Sequence, residues 1–178
     1  MLAPVEHLAL VEIGGDGTPT KDLGGLSKFA ADACVKTAAH YKRAGFSPPW
    51  ISFLACAESE IVGVCAFTAA PVGRRVEIAY HTFPPFEGRG FATGLVRELL
   101  IRANQIDPNL ELFAQTLAEH NASSAILRKT GFQFAGELRH PEEGVIRGGD
   151  EQRLTRQEFF DETGLFQSGL ARNRPNLV

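Results

Sequence analysis

The segment Pro84-Pro85-Phe86-Glu87-Gly88-Arg89-Gly90-Phe91-Ala92-Thr93-Gly94 joins a strand-like run to a helix-like one. Gly88 and Gly90 allow the backbone to approach a ligand closely and to adopt dihedrals that other residues avoid. The N–H groups of a first helical turn have no intrahelical partner. With the helix dipole they make an anion site suited to a pyrophosphate. A plain glycine-rich turn accounts for the same residues equally well. Two nucleotide motifs are tested against this segment. A Walker loop needs Gly-Lys-Ser/Thr, which the chain lacks. A dinucleotide unit wants GxGxxG within a βαβ series. Gly88, Gly90 and Gly94 read GxGxxxG after an antiparallel meander, which counts against NAD.

The elements around this turn follow from periodicity and breakers. His7 to Ile13 reads as a strand, followed by a Gly14–Pro19 loop. Thr20 is a possible helix cap, weakened by Gly24 and Gly25. From Ser27 to Lys42 the positions Ala30, Cys34, Thr37, Ala38 and Tyr41 recur at helical spacing, and Gly45, Pro48 and Pro49 end the run. Trp50–Ala57, Ile61–Ala70 and Arg75–Phe83 have short links and form an antiparallel meander. In Gly88–Asn104, Leu95, Val96, Leu99, Leu100 and Ala103 share one helix face. Strand Leu110–Leu117, helix Asn121–Lys129, strand Phe132–Leu138 and a last strand near Val145–Leu154 complete the order. A crossover helix between the fourth and fifth strands predicts that these two are parallel. Ligands in open sheets favour such irregular points.

Composition narrows the class. The chain has 178 residues, 44% apolar and 22% charged, ordinary usage for a globular protein. This length favours one domain over residues 1–178, able to bury about 70% of its unfolded surface. Net charge is −3, from 18 basic and 21 acidic residues, so no basic excess draws it to nucleic acid. The apolar, charge-free run Ile61–Gly73 has 13 residues. A spanning helix needs about 20, so no membrane segment is expected. The start MLAPVEHLALVE lacks a basic n-region, so no signal peptide is expected. Cys34, Cys56 and Cys65 are odd in number and lack CxxC spacing. They read as reduced thiols of a cytoplasmic protein.

Three motifs in order carry a resemblance. Glu87-Gly88-Arg89-Gly90-Phe91-Ala92 resembles the Q/R-x-x-G-x-G/A signature of the GNAT superfamily of acetyl-CoA-dependent N-acetyltransferases. Val76-Glu77-Ile78-Ala79-Tyr80 resembles the family's fourth-strand VEIGY. Glu119 through Phe132 resembles its NxS…LxKxGF pattern. The last two variants are similar to the RimJ/RimL-like branch, the ribosomal-protein N-terminal acetyltransferases. Matching is best over residues 50–138. Glu87 stands where the family has Gln or Arg, and Ile146–Asp150 interrupts the last strand. The resemblance implies an α+β GNAT-like fold. That fold is a mixed, mostly antiparallel twisted sheet with helices on both faces and a parallel, splayed strand pair at the centre.

It also implies an activity, acetyl transfer from acetyl-CoA as co-substrate to a primary amine, a small molecule or a protein N-terminus. The amine must be neutral, yet an α-amine has a pKa near about 8 and lysine near about 10.4. The oxyanion needs a donor and the leaving thiolate gains from a proton. By resemblance, the backbone at Tyr80, His81 and Thr82 pairs with pantetheine, and Gly88, Arg89, Gly90, Phe91, Ala92 and Thr93 cradle the pyrophosphate. Asn121 contacts the donor's pantetheine region or an ordered water, Ser123 protonates the sulfur or binds a water near it, and Glu77 serves as base, directly or through water. Direct attack in a ternary complex is expected, because Cys65 lacks a companion base. No metal is implied.

Plainer roles stand beside these. Glu77 is equally a strand carboxylate paired with Arg74 or Arg75. Ser123 and Asn121 are equally helix-capping residues, and Tyr80 a core aromatic. His81 and His120 are further candidate bases, with exposed or hydrogen-bonded histidines as the plainer reading. A non-catalytic CoA-binding module, or an interaction protein with a decayed site, is the alternative to the enzyme. Residues 156–178 carry Phe159, Phe160, Leu165, Phe166 and Leu170. They fold back on the domain or form a homodimer interface. The acceptor's identity is open.

Overall fold

The structure, a computed structural model, describes residues 8–117, 122–138 and 151–157. Its strands are β1 (Ala9–Glu12), β2 (Ser52–Ala57), β3 (Glu60–Phe67), β4 (Arg75–Thr82), β5 (Glu111–Leu117), β6 (Gln133–Leu138) and β7 (Glu151–Gln157). Its helices are α1 (Lys28–Ala44), α2 (Phe91–Ile106) and α3 (Ala122–Lys129). The strands form one seven-stranded sheet in the order β1-β2-β3-β4-β5-β7-β6. All neighbours are antiparallel except β4 and β5, which are parallel. This is the expected α+β architecture. The last strand falls later in the chain than the expected Val145–Leu154, and it lies between β5 and β6. Residues 145–150 and 158–178 lie outside the described residues, and with them the proposed C-terminal dimer segment.

Local chemistry sets the boundaries. No helix starts at Thr20, because Gly24 and Gly25 take left-handed φ values of 71° and 123°. Helix α1 starts instead at Ser27, whose hydroxyl accepts the Ala30 N–H at 3.2 Å. It stops at Gly45, at φ 93°, whose N–H bonds the Tyr41 carbonyl.

Successive residues of a strand face opposite sides of the sheet. Phe53, Cys65 and Tyr80 are aligned across β2, β3 and β4, as are Leu54, Val64 and His81. The first row faces the main core, where α2 supplies Leu95, Val96, Leu99, Leu100 and Ala103 and α3 supplies Leu127. The second row faces the smaller core under α1, with Ala30, Cys34, Ile13 and Phe83. Helices therefore cover both faces.

Tyr41 ties the layers. Its buried hydroxyl accepts the Ser52 N–H at 2.8 Å and donates to the Ile13 carbonyl at 3.2 Å. Tyr41→Phe leaves that N–H buried without its acceptor, a cost of about 1–3 kcal/mol. Thermal melts are expected to show a melting temperature lower by several degrees, at about 2–4 °C per kcal/mol for a chain of this size. An unchanged melting temperature would show that water satisfies both groups.

Candidate active site

The site begins where the parallel pair ends. β4 and β5 pair only at Arg75–Glu111, Val76–Leu112 and Glu77–Phe113. Beyond Glu77, β4 continues to Thr82 with only β3 as its ladder partner. The main chains of Arg75 and Glu77 bond toward β3, through Val72 and Thr68. Alternation therefore turns the N–H and C=O of Tyr80 toward the gap on the β5 side. The buried Thr82 hydroxyl also lacks a partner among the described residues. Gly63 lets this end of β4 lie close to β3. A Cβ there would meet the His81 carbonyl at 2.5 Å.

The chain then passes a short 3-10 turn, Pro84–Phe86, and enters α2 through Gly88 and Gly90 at φ 72° and 87°. Gly90 is the N-cap and provides no side-chain cap. Open space surrounds the position where a Gly88 Cβ would stand. The N–H groups of Phe91, Ala92 and Thr93 are thus free to bind an anion. Arg89 lies over the rings of Phe86 and Phe91, at 5.6 and 5.1 Å from their centroids, which places its charge beside this turn. Glu87 is exposed. An unpaired strand edge leading to an open helix N-terminus fits a long ligand with amides at one end and phosphates at the other.

At the gap, Tyr80 reaches α3. Its hydroxyl is 2.8 Å from Ser123 Oγ and donates to the Ser123 carbonyl at 3.2 Å. Burial pushes the Tyr80 hydroxyl above the usual tyrosine range, and the Ser123 hydrogen bond pulls partly against it. It stays protonated at neutral pH.

The opposite face of β4 borders a cavity of about 440 Å³ under α1. Thr37, His40, Ser52, Thr68, Ala79 and His81 line it, and Asp32 and Lys36 stand at its exposed rim. Glu77 is half-buried beside it and accepts the Thr68 hydroxyl at 3.1 Å. It does not pair with either arginine suggested by the sequence. Arg75 bonds Glu111 at 2.9 Å and Arg74 faces Asp107 at 3.7 Å. Glu111 is the register partner of Arg75 on β5, and Asp107 caps the end of α2. His81 is exposed, its ring edge toward Phe83. Burial raises the Cys65 thiol far above its usual range, so it offers no thiolate. Asn121 and His120 lie outside the described residues. Among the described residues no group of His, Cys, Asp and Glu could hold a metal ion.

The structure thus brings Tyr80, Thr82 and Ser123 to the gap and Gly88 through Thr93 to its mouth. Sequence reasoning missed His40 and Thr68. The available signal was the α1 row Phe29, Ala33, Lys36 and His40, one step round from the buried stripe.

The model of the acetyltransferase (GNAT) domain matches residues 16–133. This chain belongs to the GNAT acetyltransferase family. It is an acetyl-CoA-dependent N-acetyltransferase, with acetyl-CoA as co-substrate. No curated protein matches its sequence. Several solved structures share its fold. RimL, a ribosomal-protein alpha-N-protein acetyltransferase in complex with coenzyme A, is 19% identical with a TM-score of 0.57, over 72% of this chain and 71% of that one. A ribosomal-protein-alanine N-acetyltransferase from Brucella melitensis is 20% identical with a TM-score of 0.56, over 72% and 78%. A spermidine N-acetyltransferase SpeG chimera from Vibrio cholerae and hSSAT is 17% identical with a TM-score of 0.61, over 84% and 95%.

Acetyl-CoA and CoA at about 100 times Kd are expected to stabilise this GNAT domain by about 2.7 kcal/mol. Thermal-shift measurement should read that as roughly 5–10 °C, with no comparable shift from NADH. Glu87→Gln is expected to strengthen CoA binding modestly, and high salt to erase the gain. A Glu87→Gln variant that binds no more tightly would show that this carboxylate lies outside the field of the phosphates.

Proposed function

We propose that this acetyltransferase passes the acetyl group directly to a primary amine that enters through the cavity under α1. A protein N-terminal α-amine is the first acceptor to test and a polyamine the second. One observation carries the reading. β4 presents Tyr80 to the gap on one face, and Ala79 and His81 to the cavity on the other. A thioester laid along this strand meets an amine from across it.

The chemistry then divides by face. The amine nitrogen attacks the thioester carbon and the C–N bond forms. The Tyr80 backbone N–H, unpaired by β5, is placed to hold the oxyanion. As the C–S bond breaks, the Ser123 and Tyr80 hydroxyls supply the sulfur with a proton and are replenished from water. Glu77 supplies the negative charge that draws the amine proton away, acting through Thr68. Asn121, Thr82 and the Gly88–Thr93 turn hold the donor, while His81, expected to pair with pantetheine, instead faces the acceptor cavity. Three unpaired cysteines support a reducing, cytoplasmic setting. Two apolar clusters that share one sheet support a single domain. Among the described residues no helix is long and apolar enough to cross a membrane.

Thiol release from acetyl-CoA, followed over a panel of peptide N-termini and polyamines, tests the reaction. Ser123→Ala and Tyr80→Phe are each expected to lower kcat by about 10²-fold. The protein's mass should be unchanged after incubation with acetyl-CoA alone. A stable acetyl-protein would overturn direct transfer. CoA binding without turnover on any amine would leave a binding module.

A further inference from the structure

His40 stands in the fourth turn of α1 and lines the cavity with Ala79, Tyr80 and His81. Its Nε2 lies 2.6 Å from the Thr68 carbonyl oxygen. A carbonyl oxygen only accepts, so Nε2 carries the hydrogen. In the neutral ring Nδ1 then holds the lone pair, and no residue among those described bonds it. Thr68 is held in turn. Its N–H bonds the Glu77 carbonyl at 2.9 Å and its hydroxyl bonds the Glu77 carboxylate at 3.1 Å. A tautomer is thereby fixed on the wall of the cavity, backed by a carboxylate that does not itself line it.

We infer that His40 is the residue that takes the proton from the acceptor amine. This rests on the acetyl-transfer reading and names the group that receives the proton drawn off by the Glu77 charge behind Thr68. In the step, nitrogen bonds to the thioester carbon and gives its extra proton to Nδ1. The C–S bond breaks with its electron pair on sulfur, which is protonated from the Ser123 side. The imidazolium later releases its proton to water. The Thr68 carbonyl and the Glu77 carboxylate behind it favour the transient positive ring. The other charged or titratable side chains on the same cavity are Lys36 and Asp32 on α1 and His81 on β4, while Cys65 and Tyr80 border it with their side chains turned to the other face of the sheet.

The test is His40→Gln, whose amide can still donate to the Thr68 carbonyl but cannot titrate. Thiol release is followed against pH with two acceptors, an α-amine and a lysine-type amine. The limb that moves with the acceptor's pKa belongs to the amine. In the wild type a second limb should stay at the same pH with both acceptors, since it belongs to the enzyme and not to the amine. In His40→Gln that limb should vanish and kcat should fall by about 10²-fold, with melting temperature and CoA binding retained. Activity of His40→Gln within a few-fold of wild type shows that the residue only straps α1 to the end of β3, and overturns the inference. So does a wild-type profile without the fixed limb, which needs no variant to fold. Wild-type protein that acetylates no amine would instead overturn the transferase reading on which this one stands.

Discussion

β4 loses its β5 partner after Glu77, and the surrounding architecture keeps the two strands apart. A parallel pair that could run on for several residues stops at three. Tyr80 bridges from β4 to the start of α3, and the chain leaves β4 through a 3-10 turn into α2 rather than along the sheet. Unpaired main-chain groups at a buried strand edge cost about 1–3 kcal/mol each when nothing replaces the lost bond. The gap therefore persists where water or the amides of a ligand complete the ladder. The family's donor carries such amides. The same defect that weakens the sheet makes the binding edge.

Strand periodicity then sorts the chemistry. Because side chains alternate, a single strand serves two faces without crowding either. Tyr80 goes to the α3 side, where burial keeps its hydroxyl protonated. Ala79 and His81 go to the α1 side, where small and polar groups leave room for an acceptor. The close β3–β4 contact at Gly63 fixes the height of this strand. A shift of one residue in register would exchange the two faces. The bulge opposite Ala55 and Cys56 absorbs an extra residue at Val62 before that register is reached.

Much of this was legible in the sequence, for physical reasons that also mark its limits. The parallel β4–β5 pair follows from a crossover helix of obvious amphipathicity. The cradle follows from Gly88 and Gly90, whose positive φ values few other residues adopt readily. Tyr80 and Ser123 could be named by resemblance, but their contact joins positions 43 residues apart and leaves no local signal. Glu77 was read with its neighbours Arg74 and Arg75, yet those arginines point to Asp107 and Glu111. Arg75 shares a face with Glu77, but its guanidinium bonds Glu111, its register partner on β5, so the cross-strand neighbour wins over the one near in sequence. The α1 row Phe29, Ala33, Lys36 and His40 carries a position for His40 but not its role, which depends on the Thr68 carbonyl that no side-chain pattern encodes. The placement of β7 between β5 and β6 depends on long-range pairing, not on periodicity.

The cradle also explains how Glu87 stands in a signature that usually begins with Gln or Arg. The anion site is made of backbone N–H groups at an uncapped helix start, and these are present whatever residue precedes them. Glu87 closes the preceding 3-10 turn with its side chain in solvent. There water and ions screen it within about 8 Å at physiological salt. Arg89, stacked between Phe86 and Phe91, holds the opposite charge at a defined place beside the same turn. Fixed backbone dipoles, with a cation held over two rings, outweigh a solvated carboxylate. The geometry of the turn is therefore the stricter requirement, and Gly88 and Gly90 meet it where the first position of the signature does not.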